Sequence, residues 1–424
     1  MYKERILFLG IGGVSMSKLA LFALSRGATV IGYDAVRSSV TDMLEKSGIE
    51  IYYSSRPFFT NFDYAVYSSA IKESDPEMIK IRAIKKTCYK RCDFWGYIAS
   101  LHKKTVAIAG AHGKTTTTAL ISHILKDGGI SVTSHIGGES DYSFIGDEVF
   151  VTEACEYKKS FLSLAPDVAV VLNVERDHPD CYPTDESYVS AFEEFAQKIK
   201  TGGKLVIRKD DYKKFKNLSS AVLHPKCDFN GECDGKLNFT YKGINVKSEL
   251  MGKHNAENVA FAVEVARLFG VKDKSIENSI ESFTGVKRRF EKVGELNGVG
   301  VISDYAHHPT ELSRTIEVAK SCGKVFGIFQ PHTYSRTAVF FEEFKNALKM
   351  LDGYAVYKTF AAREKPSDGI DAKALAEAIG GEYFDSERKV YNFFDEQKVL
   401  KEYDKILILG AGNLDEVVRR YFQS

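Results

Sequence analysis

Short apolar runs alternate along the chain with stretches whose apolar residues recur every three or four positions, the pattern of strands alternating with amphipathic helices. Residues 5–9 (R-I-L-F-L) read as a strand, 17–26 as a helix closed by Gly27, and A-T-V-I-G-Y as a second strand ending at Asp34. Further strands are expected at 64–67 and just after Trp95. A new unit opens at Thr105 with T-V-A-I-A-G. It runs through a helix from about Lys114 to Lys126, stopped by Gly128 and Gly129, and on to strands at 149–152 and 167–174. Residues 254–269 form an amphipathic helix ending at Gly270, and strands at 299–303, 324–329, 353–357 and 405–409 make a third α/β unit. The stretch 203–250 departs from this rhythm, being polar and turn-rich, and reads as small β structure inserted in the central unit. Alternating strands and helices imply parallel sheets covered by helices, here in three units with boundaries near 102 and 289.

Length and composition agree. A chain of 424 residues is too long for one ordinary core, and 44% hydrophobic with 27% charged residues is the balance of a globular protein. The formal charge of +1 gives no global field to gather nucleic acid or an anionic membrane, so anionic ligands must be held by local groups. Apolar runs stop at about five to seven residues, against the ~20 a spanning helix needs. The opening M-Y-K-E-R-I-L-F-L breaks at once into G-I-G-G-V-S-M-S and reads as a strand, not a signal peptide. Seven scattered cysteines offer no pair of pairs at zinc spacing and read as reduced thiols of a cytoplasmic protein. Small-molecule substrates are expected, with no nucleic-acid or membrane partner, in a monomer or homodimer.

The sharpest motif is G-A-H-G-K-T-T-T-T, residues 110–118, between an apolar strand and a helix. Backbone N–H groups of such a loop and the helix N-terminus behind it cradle phosphate oxygens. Gly110, Ala111, His112, Gly113, Lys114, Thr115 and Thr116 are therefore expected to bind ATP, with Lys114 on the β/γ-phosphates and the Thr115 hydroxyl on Mg²⁺. The loop is shorter than the usual G-x-x-x-x-G-K-[ST], because Ile108 or Ala109 stands where an earlier glycine would. Glu153, closing the strand F-V-T-E, is the expected metal acid, with His178 at another strand end and Glu156, Glu175 and Asp177 as rivals.

Three other constellations stand out. G-I-G-G-V-S (Gly10, Gly12, Gly13, Ser15) with Asp34 further on fits a dinucleotide fingerprint, which alone points to a dehydrogenase. Asp34 either contacts a ribose or caps the strand end. His307 and His308 before Pro309 are substrate-positioning donors, a metal pair or plain loop residues. Arg288 and Arg289 at the second boundary either reach phosphate on domain closure or form a solvated pair, and His332, Tyr334 and Arg336 follow a strand end.

Ten segments in order extend these motifs. They are G-I-G-G-V-S-M-S (10–17), Y-S-S-A-I (67–71), A-G-A-H-G-K-T-T-T-T (109–118), E-A-C-E-Y-K-K-S-F-L (153–162) and N-V-E-R-D-H (173–178). They continue with G-K-H-N-A-E-N (252–258), F-T-G-V-K-R-R-F-E (283–291), D-Y-A-H-H-P-T-E (304–311), F-Q-P-H-T-Y-S-R-T (329–337) and G-A-G-N (410–413). Together they resemble the Mur ligase family, and within it the branch that adds L-alanine. The resemblance implies an N-terminal Rossmann-like UDP-sugar domain (1–102), a central P-loop ATPase domain (103–288) and a C-terminal Rossmann-like domain (289–424) that closes on the site. It implies a peptidoglycan-precursor ligase joining L-alanine to UDP-N-acetylmuramate with ATP and Mg²⁺. It places Gly10, Gly12, Gly13, Ser15, Asp34 and Ser69 on the UDP-sugar, and Lys114, His178, Arg289 and His308 in catalysis. Thr115, Glu153 and His178 would hold metal, His254, Asn255, Asn258 and Arg289 the nucleotide, and Asp304, His307 and His308 the amino-acid side. The chain departs from the family's E-A-D-E-S-D and G-A-G-D with E-A-C-E-Y-K and G-A-G-N. It has no lysine between 179 and 197, where several Mur ligases carry a carbamoylated one, as fits the alanine-adding branch. The alternatives are a related ligase adding another amino acid or a peptide, to the sugar or to folate, a P-loop NTPase switch, and a dehydrogenase.

Overall fold

The computed structural model describes the chain apart from residues 1–2, 54–59, 69, 138–143, 179–180, 217, 219–220, 228, 230–231, 234–235, 363, 367–368, 397–401 and 424. The opening βαβ pattern builds a parallel sheet from β1 (Arg5–Leu9), β2 (Thr29–Asp34), β3 (Glu50–Tyr53), β4 (Tyr64–Tyr67) and β5 (Thr87–Lys90), in the order β3-β2-β1-β4-β5. The order reverses at β1, and ligands of such sheets sit at the carboxyl ends beside that switch. Helices α1 (Val14–Ser25), α2 (Ser39–Lys46), α3 (Pro76–Ala83) and α4 (Arg91–Ser100) connect and cover it. The strand expected after Trp95 is instead β5, before it. Trp95 lies in α4 because Phe94, Trp95, Ile98 and Ala99 are buried together at helical spacing.

The second sheet comprises β6 (Lys104–Ala109), β7 (Val132–His135), β8 (Val149–Glu153), β9 (Val168–Val171), β10 (Lys204–Ile207) and β11 (Ala221–Leu223), all parallel, ordered β11-β10-β9-β6-β8-β7. α5 (Lys114–Asp127) leaves β6 near the middle of the sheet, and α6 (Asp185–Gln197) joins β9 to β10. β10 and β11 thus extend the parallel sheet, whereas the sequence pattern placed 203–250 in a β insertion. Only β12 (Glu232–Cys233), β13 (Lys236–Tyr241) and β14 (Ile244–Met251) make the small antiparallel sheet.

By contacts the chain forms two compact units, Met1–Lys226 with Phe261–Ile276, and Cys227–Ala260 with Glu277–Ser424. In the first, both parallel sheets contribute to one apolar core that includes Phe8, Trp95, Phe150 and Phe161. Trp95 is 1% exposed, and its Nε1–H donates to Thr152 Oγ1 at 3.1 Å. At Gly96 a Cβ would stand 2.3 Å from the Ser163 carbonyl oxygen, so α4 can press on residues 157–163 only with glycine there. These contacts fix the carboxyl ends of the two sheets relative to each other. The second unit holds a sheet of β15 (Glu291–Leu296), β16 (Val299–Asp304), β17 (Val325–Phe329), β18 (Gly353–Tyr357), β19 (Glu382–Phe384) and β20 (Lys405–Leu409), ordered β15-β16-β20-β17-β18-β19 with β15 antiparallel. No described helix is long and apolar enough to cross a membrane.

Candidate active site

β6 runs buried as far as Ala109 and releases the chain into Gly110–Gly113. Gly113, at φ 84, is the N-cap of α5, a left-handed backbone that other residues adopt only with strain, and no side chain caps the helix. The first amides of α5 and its positive dipole end are therefore presented to an anion. Asn173 clamps the loop from the end of the neighbouring strand, accepting from the His112 N–H at 3.0 Å and donating to the His112 carbonyl at 3.0 Å. The buried His112 ring lies 3.4 Å from Glu175 through Nε2, and Thr115 and Thr116 begin the helix.

Lys114 folds over this loop, donating to the carbonyls of Gly110 and Ala111 and, at 3.2 Å, to Glu156 Oε1. Burial works against its ammonium, but Glu156 and the neighbouring acids outweigh it and hold Lys114 above its usual value. Burial likewise raises Glu156, yet Lys114 and His178 prevail and keep its carboxyl below the usual range. Both partners are charged in the fold. His178 Nε2 stands 3.5 Å from Glu156 and 3.6 Å from Asp177, with the Tyr157 ring 4.9 Å away. His178 adopts φ 54, a left-handed conformation that a non-glycine residue holds only when its surroundings require it.

The expected metal pair was Glu153 with His178. Among the described residues, donor atoms of Glu156, Asp177 and His178 lie within 4.8 Å of one another, and Glu153 is not in this trio. Glu153 pairs in register with Ile108 of β6 and accepts from the Gly137 N–H at 2.6 Å. The reason is local: after β8 the chain turns inward, carrying Glu156 to the buried ammonium of Lys114, where a counter-charge is required.

In the N-terminal part, Asp34 Oδ2 accepts from the Gly12 N–H at 2.8 Å and Oδ1 from the Val36 N–H at 3.3 Å. Of its two readings, the contact seen is the cap: Asp34 latches the glycine loop Gly10–Gly13. Ser15, in the first turn of α1, accepts from Arg91 Nη1 at 3.0 Å and lies 3.1 Å from His135 Nε2. Burial, helped by Lys18 and Arg91, pushes His135 down to about 3, so it is neutral. Ser69 lies outside the described residues. Arg91, His135 and Asn173 were not singled out from sequence, although each stands at a strand end, the signal that found Glu153 and His178.

The second unit gathers the remaining candidates. Arg289 lies over the Tyr305 ring, 5.2 Å from its centre, with Nη1 3.9 Å from Glu311. Arg288 Nη2 donates to the carbonyls of Gly410 at 2.7 Å and Gly412 at 3.0 Å, bracing the G-A-G-N turn. Asp304 accepts from the N–H groups of Phe290 and Ala306, both at 2.8 Å, and burial raises its carboxyl against the pull of Arg289. His307 Nδ1 is 3.3 Å from Glu311, and His308 caps the helix Pro309–Lys320, Nδ1 accepting from the Thr310 N–H at 3.3 Å. His332 meets His307 at 6.0 Å between ring centres and is driven by burial down to about 4. Tyr334 and Arg336 begin the next short helix. Asn413 Oδ1 accepts from Gln330 Nε2 at 3.0 Å, a contact an aspartate would also make, so the G-A-G-N departure keeps the acceptor and loses a charge. Asn255 donates to the Met251 carbonyl at 2.8 Å and Asn258 to Asn255 at 3.0 Å, beside His254 at the start of the helix Lys253–Leu268.

Three family models match the chain in succession: "Mur ligase family, catalytic domain" over residues 5–103, "Mur ligase middle domain" over 108–266, and "Mur ligase, glutamate ligase domain" over 288–412. The chain is 36% identical to a UDP-N-acetylmuramate–L-alanine ligase of Clostridium acetobutylicum, covering 98% of this chain and 96% of the relative. It is 36% identical to the enzyme of the same name from Caldicellulosiruptor bescii, covering 97% of each. In fold it is similar to the crystal structure of a UDP-N-acetylmuramate-alanine ligase from Thermotoga maritima, with a TM-score of 0.79 at 24% identity over 99% of this chain and 98% of that one. Matches that run in order through all three domains, joined to relatives of this identity over almost the whole length, make the chain a member of the Mur ligase family.

Proposed function

We propose that this chain joins L-alanine to the carboxylate of UDP-N-acetylmuramate at the expense of ATP, through an acyl phosphate, in the cytoplasmic synthesis of peptidoglycan precursors. The observation that carries this reading is Lys114, held by loop carbonyls and by fully buried Glu156 at an uncapped helix start, with a separate glycine loop in the same unit. Two anion-binding loops fit two anionic substrates, and relatives 36% identical over nearly the whole chain carry that name.

A carboxylate resists amines because its oxide is a poor leaving group; phosphorylation makes that oxygen a phosphate. Phosphoryl transfer asks the protein mainly for position and charge neutralisation. The amides of Gly113 to Thr115 bind the phosphates, and Lys114 neutralises charge on the group in flight. The amine then adds to the acyl carbon, and the tetrahedral intermediate expels phosphate. Water must be kept from the acyl phosphate, and closure of the C-terminal domain with Arg289 on the phosphates would do so. Mg²⁺ would add charge neutralisation of the phosphates. The donor set suits it in part: Mg²⁺ favours oxygen, which Thr115, Glu153 and Asp177 supply. Glu156 is already balanced by Lys114, and the His178 nitrogen is the least suited donor.

The test is ADP release with UDP-N-acetylmuramate and single amino acids in turn. L-Alanine should give the highest kcat/KM. A higher value for another amino acid or a peptide would assign the chain to another Mur-type specificity.

A further inference from the structure

Where α1 begins beside α4 and the end of β7, the first unit brings together two cations, Arg91 and Lys18. Two helices start here, α1 behind Gly13 and α4 behind Lys90, and neither has a side-chain cap. Arg91, half-buried in the first turn of α4, makes one hydrogen bond among the described residues, from Nη1 to Ser15 Oγ at 3.0 Å. Its guanidinium lies 5.8 Å from the centre of the Trp95 ring, and Trp95 is itself tied to Thr152. No described Asp or Glu stands within ion-pair distance of Arg91, and Asp93 on the same helix is exposed and accepts from Cys92. Lys18 adds a second cation but is turned to the Ile136 carbonyl. His135, the remaining titratable group of the cluster, is neutral and cancels none of this charge. A guanidinium has five N–H donors in a rigid fork made for carboxylates, and among the described residues only one of them is engaged.

We propose that Arg91 binds the acceptor carboxylate of the nucleotide sugar and makes that carboxylate a requirement for tight binding. This rests on the ligase reading above. The glycine loop Gly10–Gly13 can supply amides to the diphosphate, so Arg91 is not needed for it. Arg91 lies one residue contact beyond that loop, through Ser15, on the side that meets the middle domain at His135. It also acts electrostatically on Cys155, the residue before Glu156, which pairs with Lys114. A carboxylate bound by Arg91 is thus held beside Ser15, next to the sugar-diphosphate loop. The Trp95 face and the Ser15 hydroxyl set the fork before substrate arrives, which lowers the ordering cost of binding.

Calorimetric titration of UDP-N-acetylmuramate and of UDP-N-acetylglucosamine, which lacks the lactyl carboxylate, into wild type, Arg91→Gln and Arg91→Lys tests this. Arg91→Gln should weaken the first ligand about 10- to 100-fold, the range of a charged hydrogen bond, and leave the second within about twofold. Arg91→Lys, which keeps the charge and the fold, should lose an intermediate factor for the first ligand alone. ADP binding at the P-loop reports that each variant is folded. Equal losses for both sugars would mean that Arg91 holds the diphosphate, and unchanged binding of both would mean that it has no ligand; either overturns the proposal. A wild-type protein that binds neither sugar would overturn the ligase reading and this inference with it.

Discussion

Residue by residue, the chemistry concentrates on charges that neutralise one another until substrates arrive. Lys114 has loop carbonyls and Glu156 as partners, so removing it takes away the cation meant for the transferred phosphoryl. Lys114→Ala should lower kcat about 10²- to 10³-fold, as loss of one such electrostatic contact does. A near-wild-type rate of ADP release, with an unchanged circular dichroism spectrum, would remove the assignment. Glu153→Gln should raise the Mg²⁺ concentration needed for half-maximal activity and leave metal-free ADP affinity unchanged, whereas His178→Ala should lower kcat more than it weakens nucleotide binding. A Mg²⁺ titration identical to wild type in both variants would make the two residues structural. His135 carries a pH signature. Its folded value is depressed to about 3, so the unfolded chain takes up its proton first as pH falls below the ordinary ~6.5. Its contribution is therefore intact above that range and is lost progressively down to about pH 3. By pH 5 the loss is about 2 kcal/mol at ~1.4 kcal/mol per pH unit. The melting temperature of His135→Asn should fall less steeply than that of wild type between pH 7 and 5; parallel curves would contradict this.

At the level of elements, the central assignments were legible because their signals are local. A strand, a glycine loop and Lys114 in succession specify a helix start, and α5 begins at Lys114. β10 and β11 fall in the stretch read as a β insertion because short sheet strands in polar surroundings lose their periodicity, and only their pairing with each other and with β9 reveals them. The strand expected just after Trp95 lies before it, because Phe94, Trp95, Ile98 and Ala99 are buried at helical spacing and make that stretch α4. α4 is the element that joins the two loops of the first unit, so Trp95→Ala should cost about 3–5 kcal/mol of stability, the range for a buried tryptophan. It should also raise KM for the sugar more than KM for ATP, because Arg91 rests on that ring. Chemical denaturation and steady-state kinetics measure the two effects. A destabilised variant with both KM values unchanged would separate the packing role from the site.

Across the whole molecule, three α/β units could be read from alternating apolar runs, and the family from motifs in order. What could not be read is how side chains far apart in sequence converge. Glu156 gathers with Asp177 and His178, Asn173 clamps His112, and Arg91 meets Ser15 across 76 positions. Each is a long-range contact at a strand end, where the backbone pattern gives the place but not the partner. The G-A-G-N turn is another such case: Arg288, at the second boundary, donates to the carbonyls of Gly410 and Gly412, 122 and 124 positions on.

The central claim is that the carboxylate of UDP-N-acetylmuramate is phosphorylated before the amine attacks. UDP-N-acetylmuramate labelled with ¹⁸O in both carboxylate oxygens, incubated with the enzyme, ATP and L-alanine, tests it directly through the mass of the released phosphate. One ¹⁸O per phosphate, with the other retained in the amide, is the predicted result. Unlabelled phosphate formed alongside the amide would contradict the acyl phosphate.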